Sequence, residues 1–285
     1  MPLQAHRPTM RGHCHCPPTV TLPAAPDARH ITNALFDTTQ CLNCAAPLTG
    51  PFCAQCGQKK AGRMGGSTVR KEAWARFRWF EWAAIRNALR VLPQPGTVAR
   101  EYVRGQRKDH PHPLTLLFLC IGFLLIVLAR TDYLQPEFPS EAAARMYALV
   151  KGYSKWSFSL GVAAAFASAW AVFRRRLGYN AAEVLALALY CQAVFIALQM
   201  ANQLPLVLAH SPELLKWHKQ WSPWYMTALQ ALVFMLALKQ FYLLDVRRDG
   251  WKLLAAGALF AVLKWQATAL YARGVVEFVL WQMGL

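Results

Sequence analysis

The chain has 285 residues, of which 55% are hydrophobic and only 16% are charged, yet its formal net charge is +17. A soluble basic protein usually carries many more charged residues, so this composition argues against that class. Long apolar runs with few but clustered positive charges are instead typical of an integral membrane protein with basic segments beside the bilayer.

Residues 1–39 are rich in Pro, Thr, Ala and His and show no periodicity, which predicts a disordered tail. Within this tail, His13, Cys14, His15 and Cys16 alternate two metal-ligating side chains, a pattern that is compatible with a soft metal ion. No second pair of ligands lies nearby, so a chance cluster in a flexible segment is the preferred interpretation.

Two C-x-x-C pairs dominate residues 40–60: Cys41 with Cys44, then Cys53 with Cys56. Each C-x-x-C turn places two sulfurs on one side, and two facing turns supply the tetrahedral four-thiolate site that structural zinc prefers. We therefore predict a minimal zinc ribbon whose folding depends on Zn²⁺. Four protein ligands leave no open position for a catalytic water, so a structural ion is expected.

Two disulfides or a redox C-x-x-C site are the alternatives to zinc. Disulfides need an oxidising compartment. A redox site needs a strand–turn–helix context, and the run from Pro47 to Pro51 does not suggest one. The zinc interpretation is preferred, and it places the ribbon in a reducing compartment.

Residues 61–112 are predicted to form a basic juxtamembrane linker with interfacial helices. Thirteen Lys and Arg side chains lie between Lys59 and Lys108 against three acidic ones. The spacing of aromatic and basic residues predicts an amphipathic helix from Thr68, which a Pro-Gln-Pro-Gly run then ends. A short helix is expected over Thr97–Gly105, before the apolar body begins.

We predict that Arg100, Arg104, Arg107 and Lys108 of this linker bind the phosphates of anionic membrane lipids. Packing of the same segment against the ends of the membrane helices is one alternative. Contact with a nucleic-acid backbone is another, because it uses the same charges. A segment held beside a bilayer favours lipid, so nucleic acid is not the expected partner.

Residues 113–285 contain the apolar runs of an all-α polytopic membrane domain. Each run is near the roughly 20 residues that a bilayer requires. About five transmembrane helices are predicted, at 114–129, 157–173, 181–209, 223–244 and 251–271. The apolar segment Gly274–Leu285 either extends the last span or packs at the interface.

Basic loops alternate along these predicted spans. Positive charge precedes the first span and recurs after the second, at Arg174–Arg176, and after the fourth, at Arg247 and Arg248. By the positive-inside rule the N-terminal ribbon is therefore cytoplasmic. This orientation agrees with the cysteine argument, since the cytosol keeps thiols reduced and available to zinc.

Lys264 lies midway along the fifth predicted span, where a charged side chain is costly. Gln192 and Gln199 share one face of the third span at a depth that Lys264 could reach. These three residues are our candidate intramembrane polar site, as in a transport pathway. Hydrogen bonding between helices, which holds many bundles together, is the preferred alternative.

No motif for catalysis occurs in the sequence. G-x-S-x-G, the P-loop, H-E-x-x-H and a paired acidic site are all missing. We therefore expect a protein that is not an enzyme.

Two motifs together resemble a known family. The first runs from Cys41 to Lys59 and contains the C-x-x-C pair followed by Gly-Pro-Phe-Cys-x-x-Cys-Gly-Gln-Lys. The second, Pro-Gly-x-x-x-Arg-Glu-Tyr-x-x-Gly-x-Arg, spans Pro95 to Arg107. They resemble an uncharacterised bacterial family of zinc-ribbon membrane proteins, a domain of unknown function. Ala45 departs from it, because the first knuckle of the family often has glycine there.

The resemblance implies architecture and location, namely a multi-pass protein of the bacterial inner membrane, and it implies no activity. We expect a non-enzymatic scaffold or adaptor whose ribbon binds a cytoplasmic protein partner. A small transporter or permease with a pathway around Lys264 is the alternative. The sequence leaves the oligomeric state open.

Overall fold

The computed structural model describes residues 30–65, 88–129, 140–154, 157–209 and 211–284. The described residues are mostly helical and contain no β-strand, which confirms the all-α prediction for this part of the chain. Residues 37–65 form turns with two isolated β-bridges, Gln40 with Pro47 and Phe52 with Lys59. Two short 3₁₀ turns lie at Asn33–Phe36 and Leu89–Val91. The helices are α1 (Pro95–Val103), α2 (Pro113–Ala129), α3 (Glu141–Ser154), α4 (Phe158–Phe173), α5 (Ala181–Ala209), α6 (Pro212–Tyr242) and α7 (Val246–Met283).

Helix α5 is the centre of the bundle, with α1, α2, α4 and α6 packed against it. Asn180 and Glu183 start α5 with a reciprocal cap, in which the Glu183 N–H donates to Asn180 Oδ1 and the Asn180 N–H donates to Glu183 Oε2, at 2.9 and 2.8 Å. Helix α7 packs on α3, α4 and α6. The rings of Phe195 and Phe234 both contact that of Phe260 in tilted pairs, which join α5, α6 and α7 in the core.

Among the described residues, three helices are long and apolar enough to cross a membrane: Ala181–Leu206, Glu213–Tyr242 and Val246–Met283. Pro113–Val127 and Ser159–Phe173 are also apolar but shorter. Five apolar helices therefore occur where the sequence predicts spans, and three of them have the length of a span.

The far ends of the last two spans differ from the prediction. Helix α6 begins at Pro212, because Ser211 caps it by accepting a hydrogen bond from the Leu214 N–H, and Pro223 is accommodated inside the helix. Helix α7 continues through Gly274 to Met283, where Gly284 ends it in a left-handed conformation. The segment Gly274–Leu285 thus extends the last helix through Met283.

Helix α3 lies between the first two predicted spans, where no helix was predicted. Its C-terminal end packs on the last third of α7, where the Tyr271 hydroxyl donates to the Tyr153 carbonyl oxygen at 2.7 Å and the ring of Tyr153 meets that of Phe278. This contact lies near the C-terminal end of α7, far from Val246, the first residue of that helix.

The predicted tail and basic helix are described only in part. His13–Cys16 and most of the helix expected from Thr68 lie outside the described residues. Residues 30–39, assigned to the tail, are folded, since the Ile31 N–H donates to the Leu177 carbonyl oxygen at 2.9 Å and Phe36 is buried. The predicted disordered tail, 1–39, therefore does not apply to residues 30–39.

Candidate metal centre and its attachment to the helices

The four ribbon cysteines form one cluster. Their Sγ atoms all lie within 4.8 Å of one another. Sγ of Cys41 is 3.7 Å from that of Cys56, and Sγ of Cys44 is 3.5 Å from that of Cys53. A tetrahedral ion with sulfur ligands at about 2.3 Å requires sulfurs about 3.8 Å apart. These thiols are not disulfide-bonded, and their spacing fits a single metal ion.

The two knuckles repeat one backbone pattern. In the first, the Cys41 N–H donates to the Ala46 carbonyl oxygen and the Ala45 N–H donates to that of Cys41, both at 2.8 Å. In the second, the Cys53 N–H donates to Gln58 and the Gly57 N–H to Cys53, at 2.8 and 2.9 Å. The fifth residue of each knuckle has a positive φ, 59° at Ala45 and 71° at Gly57. The predicted pair of matched turns is confirmed.

The protonation of these thiols depends on their surroundings. The Cys56 backbone N–H is the main group that lowers the pKa of Cys53, to about 7. Burial raises the pKa of Cys56 to about 12, and it also raises that of Cys44. Because burial disfavours the charged forms of Cys44 and Cys56, four thiolates at this site would need a cation between them. A donor set of four soft sulfurs in tetrahedral spacing suits Zn²⁺, for which Cys41, Cys44, Cys53 and Cys56 would be the ligands.

Gln58, two residues after the last cysteine, attaches the ribbon to the segment after α1. Its buried side chain donates from Nε2 to the Gly105 carbonyl oxygen at 2.7 Å. Its Oε1 accepts from the backbone N–H groups of Arg107 and Lys108, at 2.9 and 2.8 Å. One amide thus satisfies three backbone groups, two of the second sequence motif and one of Lys108, the residue after it.

Gly105 lies against the first knuckle. Its φ is +107°, and a Cβ atom there would come within 2.6 Å of Leu42 Cδ1. Glycine is therefore required at position 105 for two reasons: the backbone conformation is strained for other residues, and there is no space for a Cβ atom. The buried Arg107 completes the contact, because its guanidinium donates to the Gly62 carbonyl oxygen at 2.6 Å and lies over the Tyr102 ring.

The remaining residues of the second motif attach α1 to the membrane helices. Gly96 approaches α6 so closely that a Cβ atom would overlap the carbonyl oxygen of Ala237. The Gly96 N–H donates to Gln240 Oε1 of α6 at 3.0 Å, which satisfies a free N–H at the start of α1. Tyr102 is fully buried, with its ring edge-on to those of His112 and Tyr190.

Glu101 connects α1 to the residues on either side of it. Its carboxylate lies 3.2 Å from Arg90 NH2 and 3.0 Å from His110 Nε2. Burial raises the pKa of Glu101, but the hydrogen bond from His110 and the charges of Arg90, His110 and Arg100 together hold it below its ordinary value.

A second attachment, which the sequence analysis missed, joins the linker after the ribbon to α5. Arg63 donates to Glu183 Oε1 at 3.1 Å and to the Gly178 carbonyl oxygen at 2.6 Å. Asn180 donates to the Met64 carbonyl oxygen at 2.8 Å. Glu183 is fully buried. The sequence signal for this attachment was the N-x-x-E pattern of Asn180 and Glu183, a polar helix cap in front of an apolar run.

The predicted lipid-binding residues fall into different environments. Lys108 is exposed, and Arg100 and Arg104 are half-buried. Burial and the charge of Arg100 lower the pKa of Arg104. Arg107 is only 4% exposed. The prediction for Arg107 is corrected: its side chain holds the head to the helices and does not face a lipid surface.

The candidate intramembrane residues Lys264, Gln192 and Gln199 make separate contacts. Lys264 of α7 donates to Gln230 Oε1 of α6. Gln192 is buried and packs against Gly161 of α4, and Gln199 is half-buried. The structure therefore brings together Lys264 and Gln230, the kind of contact between helices that was the preferred alternative.

A polar cluster of α5 and α6 was also missed. The Tyr225 hydroxyl donates to Asn202 Oδ1 at 2.6 Å and lies 3.2 Å from His218 Nδ1. Asn202 Nδ2 is 3.5 Å from His218 Nε2. The cluster connects the late part of α5 with the early part of α6. It was not predicted because the predicted fourth span begins at residue 223, after His218, whereas α6 begins at Pro212.

These observations define a class: a protein that is mostly helical where the structure describes it, with three candidate membrane-spanning helices in that part and a four-cysteine cluster fixed at one end. A family described as Protein of unknown function (DUF3667) matches residues 86–125. The match covers α1 and most of α2, including the Pro-Gly…Arg-Glu-Tyr…Gly-x-Arg motif, and it does not reach the cysteines. No curated protein and no solved structure matches this chain.

Proposed function

We propose that this protein is a non-enzymatic scaffold or adaptor of the bacterial inner membrane, with a cytoplasmic head held rigid by structural zinc. The hydrogen bonds of Gln58 to Gly105, Arg107 and Lys108 carry this proposal. They fix the ribbon to the helices, so a partner bound to the ribbon would have a defined position relative to the membrane.

The ribbon offers one surface suited to a protein partner. Phe52 lies next to the ligand Cys53, yet it is 59% exposed. Pro47 and Pro51 beside it are also exposed. An exposed aromatic side chain on a rigid support is typical of the residues that anchor protein interfaces.

The location of the basic loops supports a cytoplasmic head. Arg176 at the end of α4 bonds to Asp249 at the start of α7, at 3.1 Å. The neighbouring residues Leu177 and Gly178 contact the segments on either side of the ribbon. The ribbon and both basic loops thus share one end of the bundle, as the positive-inside rule expects of the cytoplasmic side.

Photo-crosslinking in living cells tests the adaptor role. A photoreactive phenylalanine analogue at Phe52 should give a discrete protein adduct, and the same probe at the exposed Leu243 is the matched control. Combining the Phe52 probe with Cys53→Ser should abolish the adduct while membrane insertion persists. An adduct that survives loss of the metal would contradict the proposal.

The transporter alternative rests on Lys264 and the amides around it. A substrate flux that Lys264→Met abolishes, in a protein that still folds, would favour transport over the adaptor role. The adaptor proposal expects the Phe52 adduct to form normally in that variant.

A further inference from the structure

One face of α7 has no partner in the described part of the chain. In the apolar part of α7, only 22% of residues are buried within the molecule. Leu253, Gly257, Phe260 and Lys264 lie on the face of α7 that packs on the bundle. Ala255, Val262, Gln266, Arg273 and Glu277 lie on the opposite face and are exposed.

Gln266 is the unusual residue of this face. It is exposed, and no described residue hydrogen-bonds to its amide. At 1.5 Å per residue it lies about 22 Å along α7 from Trp251, inside the roughly 30 Å of a hydrocarbon core. Its neighbours Val262 and Trp265 are exposed and apolar, as expected of lipid-facing residues. An amide facing lipid lacks hydrogen-bond partners, which another helix can supply.

Arg273 and Glu277 lie farther along the same face, about 33 and 39 Å from Trp251, at the level of the far headgroups. Both are exposed, and neither forms an ion pair with a described residue. They are one turn apart, so the face presents opposite charges in addition to the amide.

We propose that α7 pairs with α7 of a second copy of this chain, in parallel and about a two-fold axis. A two-fold axis sets each residue of the face near its own copy. An amide both donates and accepts, so Gln266 is complementary to itself. Arg273 of one chain would then meet Glu277 of the other, twice in each dimer.

A second copy fits this face better than another occupant does. A lipid tail cannot satisfy the Gln266 amide. An unrelated helix would need its own amide and both charges at matching heights, whereas a copy in the same membrane orientation supplies them. The interface is independent of the ribbon at the other end of the bundle.

Energy transfer between full-length chains in phosphatidylcholine vesicles tests this pairing. Chains labelled at the N-terminal amine with donor or acceptor should give transfer that rises with protein density and is competed by unlabelled chain. Gln266→Leu should weaken association roughly three- to twentyfold. Leu254→Ala, an exposed change on α7 away from this face, should leave association unchanged.

Charge reversal gives the sharper test, because it can be repaired between chains. Arg273→Glu alone places four acids at the interface, and Glu277→Arg alone places four bases, so each variant should lose self-association. Mixing the two variants should restore transfer, since every acid then faces a base. Monomeric wild-type chains, or single reversals that associate normally, would overturn the proposal. A mixture that stays dissociated would overturn it as well.

Discussion

Gln58 donates a hydrogen bond of 2.7 Å to the carbonyl oxygen of Gly105, and this bond joins the cysteine ribbon to the segment that leads into the membrane helices. The contact explains why the two sequence motifs occur in one chain. Each motif is half of a single docking site, in which Gln58 and Leu42 of the ribbon contact residues 105–108.

Gln58→Leu should loosen the head while the metal stays bound. The substitution removes the hydrogen bonds of the Gln58 amide to the Gly105 carbonyl oxygen and to the N–H groups of Arg107 and Lys108. A buried backbone group left unsatisfied costs about 1–3 kcal/mol. The bond from the Arg107 N–H to the Gly105 carbonyl oxygen, at 3.0 Å, offsets part of that loss. Hydrogen exchange should accelerate at residues 105–108, and metal content should not change. Gln55→Leu, an exposed amide in the same knuckle, is the control. Unchanged exchange in Gln58→Leu would contradict the attachment described here.

Gly105→Ala should destabilise the same docking site. The new Cβ meets Leu42 at 2.6 Å, and φ of +107° is strained for any residue with a side chain. Adding Leu42→Ala should recover only part of the lost stability. It removes the closest overlap, with Leu42 Cδ1, and leaves the backbone strain and the tight contacts with the Cβ atoms of residues 42 and 61, at 3.1 and 3.2 Å. Thermal unfolding measures both effects, with Gly62→Ala, where a Cβ meets nothing within 4 Å, as the control. Equal stability of Gly105→Ala and the control would be inconsistent with this packing.

Ala45→Gly should strengthen the first knuckle. Ala45 has a φ of 59° at the position that Gly57 occupies in the second knuckle. Relief of the left-handed strain is expected to exceed the entropy cost of glycine and to stabilise the holo-protein by about 1 kcal/mol. Competition with a zinc chelator measures the gain. Ala54→Gly, within the second C-x-x-C turn, has no such strain to relieve and should bring no gain.

Glu101 should contribute stability that depends on pH. Its pKa is held below the ordinary 4.5 in the folded protein, so the contribution is complete above that value and is lost as pH falls through the folded pKa. Wild type should therefore be more stable than Glu101→Gln at neutral pH, and the difference should shrink in acid below pH 4.5. Denaturation of both proteins at several pH values measures it. A stability difference between wild type and Glu101→Gln that grows as the pH falls would contradict a lowered pKa of Glu101.

Lys264→Met should destabilise the bundle by leaving the buried Gln230 amide without its partner. Adding Gln230→Leu should restore much of the loss, because replacing both members of a buried polar pair can be nearly neutral. Thermal stability of the single and double variants in detergent measures this. If Gln230→Leu lowers the thermal stability of the Lys264→Met variant further, the contact between Lys264 and Gln230 does not stabilise the bundle.

The sequence was sufficient for features whose signals are local. Cysteine spacing predicts the knuckles because the ligands of each pair lie within one turn, and the apolar runs predict α2, α4 and α5 within a few residues. The short helix α1 was also predictable, because prolines precede it and Gly105 follows it.

The missed features depend on contacts between distant residues. Gln58 bonds to residues beyond α1, and Arg63 to Glu183 of α5, so neither pairing has a local pattern. Helix α3 and the start of α6 carry charged and aromatic residues together, which weakened the apolar signal. The partner of Lys264 could not be assigned, because depth alone does not decide which helix faces it.

Metal and thiol content of the full-length protein, purified in detergent without reductant, tests the central claim most directly. We expect about one zinc ion per chain, with Cys41, Cys44, Cys53 and Cys56 unreactive toward a thiol reagent until a chelator removes the metal. Two disulfides and no zinc would contradict it. The ribbon would then lie in an oxidising compartment, on the opposite side of the membrane from the one proposed.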